Sequence, residues 1–269
     1  IAWLLMKNSK ICFALVIISN IHIAMYKGYL LGACRTPIGN YGGAFNVLRG
    51  GTLKLYNGKI SGNTGNEEGG AVYIQSPNAS VCGGKFYMYG GEIYDGSTKD
   101  GLGGNVLARG TFNMYGGKIY DGVVTSETGY ASKGGNIYST GELNLLGGSI
   151  TGGSVQGMGG NIYTVTKKMT LKDTVVSGGT ATAVTADGAT VYQTGLGGDI
   201  FTTYDGNELT GKVQIDDLYV AQQGSIDAHD LTADSKIHLN MDTFGAISQD
   251  ANMESLFSTD MTGTKFVPH

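Results

Sequence analysis

The chain has 269 residues and a formal net charge of −4, and its compositional outlier is glycine, with 46 residues against only 3 prolines. The glycines follow no strict period of three, which excludes collagen, and the sequence shows no basic patch, which argues against a nucleic-acid partner. An apolar content of 41% is enough to build a buried core.

Residues 1–33 differ from the rest of the chain. Lys7 and Lys10 precede the apolar stretch Ile11–Ser19, and a basic start followed by a short hydrophobic run is typical of a secretory leader. The alternative is an apolar N-terminal cap, because an uncapped sheet edge exposes strand hydrogen-bonding groups. The run is too short to span a membrane. We therefore expect a secreted or cell-surface protein with no membrane span in its mature domain.

Residues 34–225 consist of imperfect repeats, of which Gly134–Gly153 is one copy. A Gly-Gly pair leads into a β-branched residue and usually an aromatic residue. After a polar turn, an apolar-x-apolar run reaches a second Gly-Gly and then x-Ile. Alternation of apolar residues indicates strands with one buried face, and glycine permits sharp turns between them. Short repeats of this kind predict a solenoid in which neighbouring coils complete one core.

Aligning the copies gives apolar columns that should stack from coil to coil. The first three are Leu53, Phe86, Phe112, Leu143, Met169, Val213; Leu55, Met88, Met114, Leu145, Leu171, Ile215; and Ile60, Ile93, Ile119, Ile150, Val176, Val220. The fourth is Val72, Val106, Ile137, Ile162, Ile200. The sequence thus predicts an all-β, single-stranded parallel β-helix of about six to seven coils. Residues 226–269 keep strand alternation and predict a last coil followed by a polar tail.

The repeat motif resembles that of a known group of proteins. The segments that carry the likeness are FNMYGGKI at 112–119, and ISGN at 60–63 leading to GGAVY at 69–73. They resemble repeats of secreted and surface adhesin-like proteins of gut bacteria and, more loosely, polymorphic outer-membrane protein repeats. The resemblance implies a right-handed β-helix, but it says little about function because one fold hosts many activities.

Aromatic residues are the strongest functional hint in the sequence. Tyr73, Tyr138, Tyr163 and Phe201 share one column, and alternation with the fourth apolar column predicts that they face outward or edge a corner. A row of exposed rings could bind the apolar face of a sugar or another protein. The alternative is that the row stabilises the sheet by cross-strand packing alone.

Asp95 and Asp121 occupy the same position in adjacent copies and are weak catalytic candidates. Stacked carboxylates about 5 Å apart could serve a glycosidase or bind a cation, although Asp before Gly is also ordinary turn chemistry. Three widely spaced cysteines and four scattered histidines form no metal motif. We therefore expect no metal and no cofactor.

Two functions remain open at this point. The first is a structural or adhesin-like β-helix that binds glycans or proteins through flat faces. The second is a carbohydrate-active enzyme of the β-helix type, resembling polysaccharide lyases and glycoside hydrolases. A groove with converging ionisable groups would favour the enzyme, and a smooth wall with rows of tyrosine would favour binding.

Overall fold

The computed structural model describes residues 2–12, 16–18, 21–31, 43–65, 68–126, 132–165, 167–186, 189–190, 194–221, 224–242, 247–249 and 254–260, and within 2–31, 185–190 and 247–249 it covers backbone pairing alone. Apart from the 3-10 turn Glu254–Leu256, the regular structure of the described chain is β-strand. Its long-range pairings are parallel, and one short hairpin, Thr185–Ala186 with Ala189–Thr190, is antiparallel. The fold is a parallel β-helix, as predicted.

Each coil contributes strands to three faces, which we name A, B and C. Successive coils pair in parallel along each face, and in the late coils the register shifts between Leu209 and Gly211 and between Ile215 and Leu218. Face A contains the strands Phe45–Val47, Val72–Ile74, Val106–Ala108, Ile137–Ser139, Ile162–Thr164 and Ile200–Thr202. Face B contains Thr52–Leu55, Lys85–Met88, Thr111–Met114, Glu142–Leu145, Met169–Lys172, Asn207–Gly211, Ile226–Leu231 and Ile247–Gln249. Face C contains Lys59–Ser61, Glu92–Tyr94, Lys118–Tyr120, Gly148–Thr151, Thr174–Ser177 and Phe257–Ser258.

Two longer strands, Gln214–Val220 and Lys236–Met241, run from face C round to face A. Beyond the predicted last coil, the pairing of Ile247–Gln249 and Phe257–Ser258 continues the stack on faces B and C.

Strands within residues 2–31 pair with the start of the solenoid. Ala2–Cys12 pairs with Ile21–Leu31, which pairs in turn with the first strands of faces B and C. Val16–Ile18 pairs with Phe45–Val47 on face A. The assignment of this segment as leader or cap stays a prediction.

The predicted apolar columns form the core of the first five coils. Ile93 pairs with Ile60 and Ile119, and Ile119 pairs with Ile150. All four isoleucines have no exposed surface, as expected for side chains that fill the inside of the stack. Full burial of an isoleucine contributes about 1.5–3 kcal/mol relative to exposure, so each column is a continuous source of stability.

The sixth coil differs from the predicted alignment. Leu171 pairs with Leu209, not with Ile215, and Val176 pairs with Ile215, not with Val220. Val213 and Val220 are buried, but Val213 does not follow Met169, and Val220 lies on face A opposite Thr202. The prediction was wrong there because Val213-Gln214-Ile215 repeats the apolar-x-apolar pattern, whereas the segment that takes the place on face B, 207–209, begins with a buried asparagine.

A buried amide ladder runs through the corner between faces C and A. The Nδ2 of Asn105 donates to Asn136 Oδ1 at 2.7 Å, and that of Asn136 donates to Asn161 Oδ1 at 2.7 Å. Asn161 Nδ2 donates to Asp199 Oδ1 at 2.8 Å. These residues are at most 1% exposed. An asparagine recurs after the leading Gly-Gly in these three copies, which predicts amides stacked from coil to coil, and the structure confirms it.

The ladder ends in a carboxylate for a geometric reason. Asp199 Oδ2 accepts the backbone N–H groups of Asp216 and Asp217 at 2.9 and 3.1 Å. An asparagine at this position could accept the ladder hydrogen bond through Oδ1. Its NH2 group would then face the N–H groups of Asp216 and Asp217, and donors cannot bond to one another. Burial is the main cause that raises the pKa of Asp199, and these hydrogen bonds oppose the shift.

Insertions between faces C and A form an outer layer over face A, which we call the arm. Its strands are Thr64–Gly65, Ser97–Lys99, Val123–Thr125, Ser132–Lys133, Ser154–Met158 and Thr180–Thr182. They pair with one another in parallel, so the arm is a sheet in its own right.

Candidate functional site

The predicted aromatic column lies on the outer side of face A. Tyr138 pairs with Tyr163, and Tyr163 pairs with Phe201, with ring centroids 5.4 and 5.3 Å apart and ring planes within 4° of parallel. The row is interrupted between Tyr73 and Tyr138, where Leu107 is the paired residue. The stacking of these rings is therefore as predicted, with one aliphatic member.

The expected exposure is wrong for three of the four rings in this row, whereas Tyr138 is partly exposed. Tyr73, Tyr163 and Phe201 are 4%, 7% and 1% exposed, because the arm and neighbouring loops cover face A. Met158 and Ala221 pack in one cluster with Tyr163 and Phe201. Alternation correctly placed the rings opposite the core, but nothing in the alternation revealed a second layer above them. Ligand binding by this row stays a prediction, and a surface ligand would have to reach beneath the arm to contact the three buried rings.

Asp95 and Asp121 lie one coil apart at the exposed corner after face C. Both have φ of 53°, in the left-handed region, where aspartate is among the few tolerated residues after glycine. The equivalent residues of other coils are Gly62, Gly152 and Gly178, with φ of 65°, 65° and 64°. The positions thus share a backbone conformation, and this shared conformation accounts for the two aspartates as turn residues.

A different row of tyrosines contains two exposed rings. Tyr56, Tyr89 and Tyr115 follow the second apolar column at the corner between faces B and C, and we call this row the tyrosine corner. Tyr89 and Tyr115 are 40% and 45% exposed, and Tyr56 is half-buried. The sequence signal was visible as Leu-Tyr or Met-Tyr before the turn, but our alignment did not use it.

The turn after these tyrosines requires glycine. Gly91 and Gly117 have φ of 86° and 97°, and a Cβ on either would lie 2.6 Å from the carbonyl oxygen of the glycine one coil earlier. The coils therefore approach closely at this corner. Tyr89 N donates to Leu55 O at 2.8 Å, and Tyr115 N donates to Met88 O at 2.7 Å, which holds the tyrosines directly above one another.

The ring geometry limits what the tyrosine corner can bind. The centroid distance is 4.8 Å from Tyr56 to Tyr89 and 5.1 Å from Tyr89 to Tyr115, and the planes are tilted by only 9° and 8°. Each inner ring face is therefore covered by the next ring. Solvent meets ring edges and phenol groups at steps of about 5 Å, so the row does not offer the broad ring faces that stack on sugars.

Charge and hydrogen-bonding groups surround this corner. Burial, with the neighbouring phenols of Tyr56 and Tyr115, raises the pKa of Tyr89, so its phenol is neutral and able to donate at physiological pH. On the adjacent part of face C, Lys59 Nζ lies 3.0 Å from Glu92 Oε2. Tyr120 Oη donates to the same carboxylate at 2.9 Å. The corner is thus an amphipathic surface held rigid by the stack.

A second cluster of polar side chains, His238, Ser258 and Asp260, lies in the last coils. The sequence analysis did not identify it. His238 Nδ1 is 3.0 Å from Ser258 Oγ, and His238 Nε2 is 3.0 Å from Asp260 Oδ2. A groove of ≈ 370 Å³ beside it is lined in part by Asp216, Lys236 and His238. The Asp260 side chain is 82% exposed, so water competes with it for the imidazole. The contacts join the last two coils, since His238 and Ser258 are cross-strand partners.

The part of the chain that the structure describes contains no group of three His, Cys, Asp or Glu residues placed to hold a metal ion. Within the same residues, no helix has the length and apolar character needed to cross a bilayer.

Fold and surface together define a parallel β-helix with an arm over one face and a tyrosine row along one edge. In comparisons with known proteins, no protein-family model, curated protein or solved structure matches this chain.

Proposed function

We propose that this protein is a structural, adhesin-like β-helix, secreted or held at a cell surface, that binds a glycan or a protein through its tyrosine corner. The observation that carries the proposal is the stacked row of Tyr56, Tyr89 and Tyr115, in which Tyr89 and Tyr115 are exposed. Tyrosine is enriched in binding surfaces because one side chain combines apolar area with a polar tip. Location outside the cell is proposed from the leader-like segment of residues 1–33.

The row is suited to a partner with a linear repeat. Its phenols recur at about 5 Å, which is the spacing of neighbouring strands in any β-sheet and of the order of one sugar unit. Because the ring faces are covered, contact would be made by ring edges and by hydrogen bonds from the phenols. A protein strand edge or the hydroxyl-bearing edge of an extended glycan fits this chemistry better than a flat sugar face.

The test replaces the exposed phenols without disturbing the turn. Leu146 occupies the same corner one coil later, and its N–H donates to Met114 O as those of the tyrosines do in their coils, so leucine is compatible with this backbone. We expect Tyr89→Leu/Tyr115→Leu to keep its unfolding temperature and to lose roughly tenfold or more in affinity, as is usual for central aromatic contacts.

Binding is measured on glycan arrays and against cultured cells, with Val81→Ser as the matched control. Val81 is 40% exposed but lies in a loop away from the corner. The proposal fails if the double variant binds as the wild type does, or if the control loses as much. Release of oligosaccharides from a polysaccharide would instead support the enzyme, which no observation among the described residues now favours.

A further inference from the structure

We infer that face B is a self-association surface, on which a second copy of this chain packs face to face with its solenoid axis antiparallel. The inference goes beyond the proposed binding role and rests on different side chains. It comes from the distribution of charge along one outward row of face B, together with the order in which the coils stack.

Charge is distributed unevenly along the chain. Residues 199–260 contain twelve Asp and Glu, with only Lys212 and Lys236 as Lys or Arg, whereas residues 43–126 contain seven Lys and Arg against six Asp and Glu. Because the coils stack in sequence order, this difference becomes a charge gradient along the solenoid. The late coils are strongly acidic and the early coils are slightly basic.

The gradient is expressed in one straight row on face B. Register pairing places the outward residues above one another in the order Lys54, Tyr87, Asn113, Asn144, Thr170, Glu208, Asp227. Small neutral side chains fill the middle of the row, so the surface is flat there. Among the side chains that the structure describes in this row, Lys54 stands at one end and Asp227, next to Glu208, stands at the other, about 29 Å from Lys54 at the strand spacing of a sheet. The backbone of face B continues past both ends, as Ile21–Leu31 and Ile247–Gln249.

Such a row is complementary to itself when one copy is turned end over end. Consider a twofold axis that runs along the strands through Asn144. It places the strand of Lys54 opposite the strand of Asp227, the strand of Tyr87 opposite that of Glu208, and the strand of Asn113 opposite that of Thr170. Lys54 of each copy then faces Asp227 of the other, and Tyr87 faces Glu208. The parallel arrangement would instead bring Lys54 against Lys54, which is repulsive, so the charges select the antiparallel one.

Neither Lys54 nor Asp227 is buried. The Asp227 side chain is 49% exposed and lies 3.6 Å from His229. Lys54 Nζ lies 5.9 Å from the centre of the Tyr87 ring. Glu208 already forms ion pairs with Lys168 and His229, so Asp227 is the sharper probe of the acidic end of the row.

The contact area and the central residues predict a weak dimer. Seven strands of this length cover about 500 Å² on each copy, and the total of about 1,000 Å² is at the lower limit for a specific interface. Glu142 is exposed beside Asn144, so the two copies of this carboxylate approach each other at the axis and oppose association. We therefore expect a dimer that depends on concentration and dissociates at high salt.

Sedimentation velocity of the whole chain at low and high salt tests the inference. Lys54→Glu and Asp227→Lys should each weaken self-association roughly tenfold, because each places two like-charged pairs in the interface. In an equimolar mixture of the two variants, both contacts of a mixed dimer are again of opposite sign. The mixture should therefore associate as the wild type does.

Two results would overturn the inference: a wild-type chain that stays monomeric at low salt over the whole concentration range, or a mixture that associates no better than the separate variants. Circular dichroism of each variant checks the fold, and the mixture guards against misfolding as a trivial cause of loss. Both variants retain the tyrosine corner, so their glycan or cell binding reports on the proposed function independently.

Discussion

At the scale of single residues, the backbone explains Asp95 and Asp121 better than catalysis does. Both sit in a left-handed conformation that other coils fill with glycine. Most side chains lose about 1–2 kcal/mol there because Cβ approaches a carbonyl oxygen, whereas aspartate tolerates it by bonding locally. Asp95 and Asp121 therefore lie in adjacent coils because the same turn is repeated there.

Substitution at Asp121 separates the turn role from a chemical role. Asp121→Gly should keep the free energy of unfolding, because Gly62 and Gly152 already fill this position. Asp121→Ala should lower it by about 1 kcal/mol, because alanine has neither glycine's freedom nor a local hydrogen bond. Denaturant unfolding of both variants measures the difference. Equal losses in the two would mean that the carboxylate itself contributes.

At the scale of structural elements, the arm decides which aromatic row is available. It converts the outer side of face A into a second buried layer around Tyr163 and Phe201, with Lys133 Nζ 5.2 Å from the centre of the Tyr163 ring. Burial raises the pKa of Tyr163 to about 12. At the corner between faces B and C, by contrast, Tyr89 and Tyr115 are exposed to solvent.

The raised pKa of Tyr163 predicts how the fold responds to alkali. Between its unfolded value of about 10 and about 12 in the fold, the folded chain holds a proton that the unfolded chain has lost. Stability therefore falls as pH rises through this range. Tyr163→Phe, which copies Phe201 in the next coil, should remove this contribution, so the free energy of unfolding of this variant should fall less steeply over the same pH range.

Urea unfolding at several alkaline pH values, on the wild type and on Tyr163→Phe, measures the slope. If the two slopes are the same, Tyr163 is more accessible to solvent than the arm allows, and the described covering of face A would be incorrect.

At the scale of the whole molecule, stability comes from contacts between neighbouring coils, as in other repeat proteins. The central isoleucines each touch a coil above and a coil below. A defect in one central coil therefore weakens two interfaces and can separate the solenoid into two shorter stacks. This coupling makes the middle of the chain the most sensitive place for a core substitution.

Ile150→Asp should unfold the middle coils. Ile150 has no exposed surface, and an unpaired carboxylate inside the stack costs several kcal/mol or forces the coil open. The matched control is Ser149→Asp in the same strand, whose side chain points outward next to Lys118. Thermal unfolding and limited proteolysis compare the two. Unchanged stability in Ile150→Asp would contradict the assigned column.

The sequence by itself determined the solenoid, the inward columns of the first five coils and the amide ladder. These three features follow from local alternation and from one residue type that recurs at the same point of each repeat. Together the two patterns predict which positions are buried in the stack. Leu, Ile, Met and Phe recur because every coil must close over the same apolar interior.

Tertiary structure decided the register of the sixth coil, the burial of Tyr73, Tyr163 and Phe201, and the exposure of Tyr89 and Tyr115. These depend on which segment lies above which, and alternation reports only the side of a strand. A residue opposite the core is exposed only if no other layer covers it, and the arm covers face A but not the tyrosine corner. The charged row on face B has the same origin, because residues far apart in the chain form one line only once the coils are stacked.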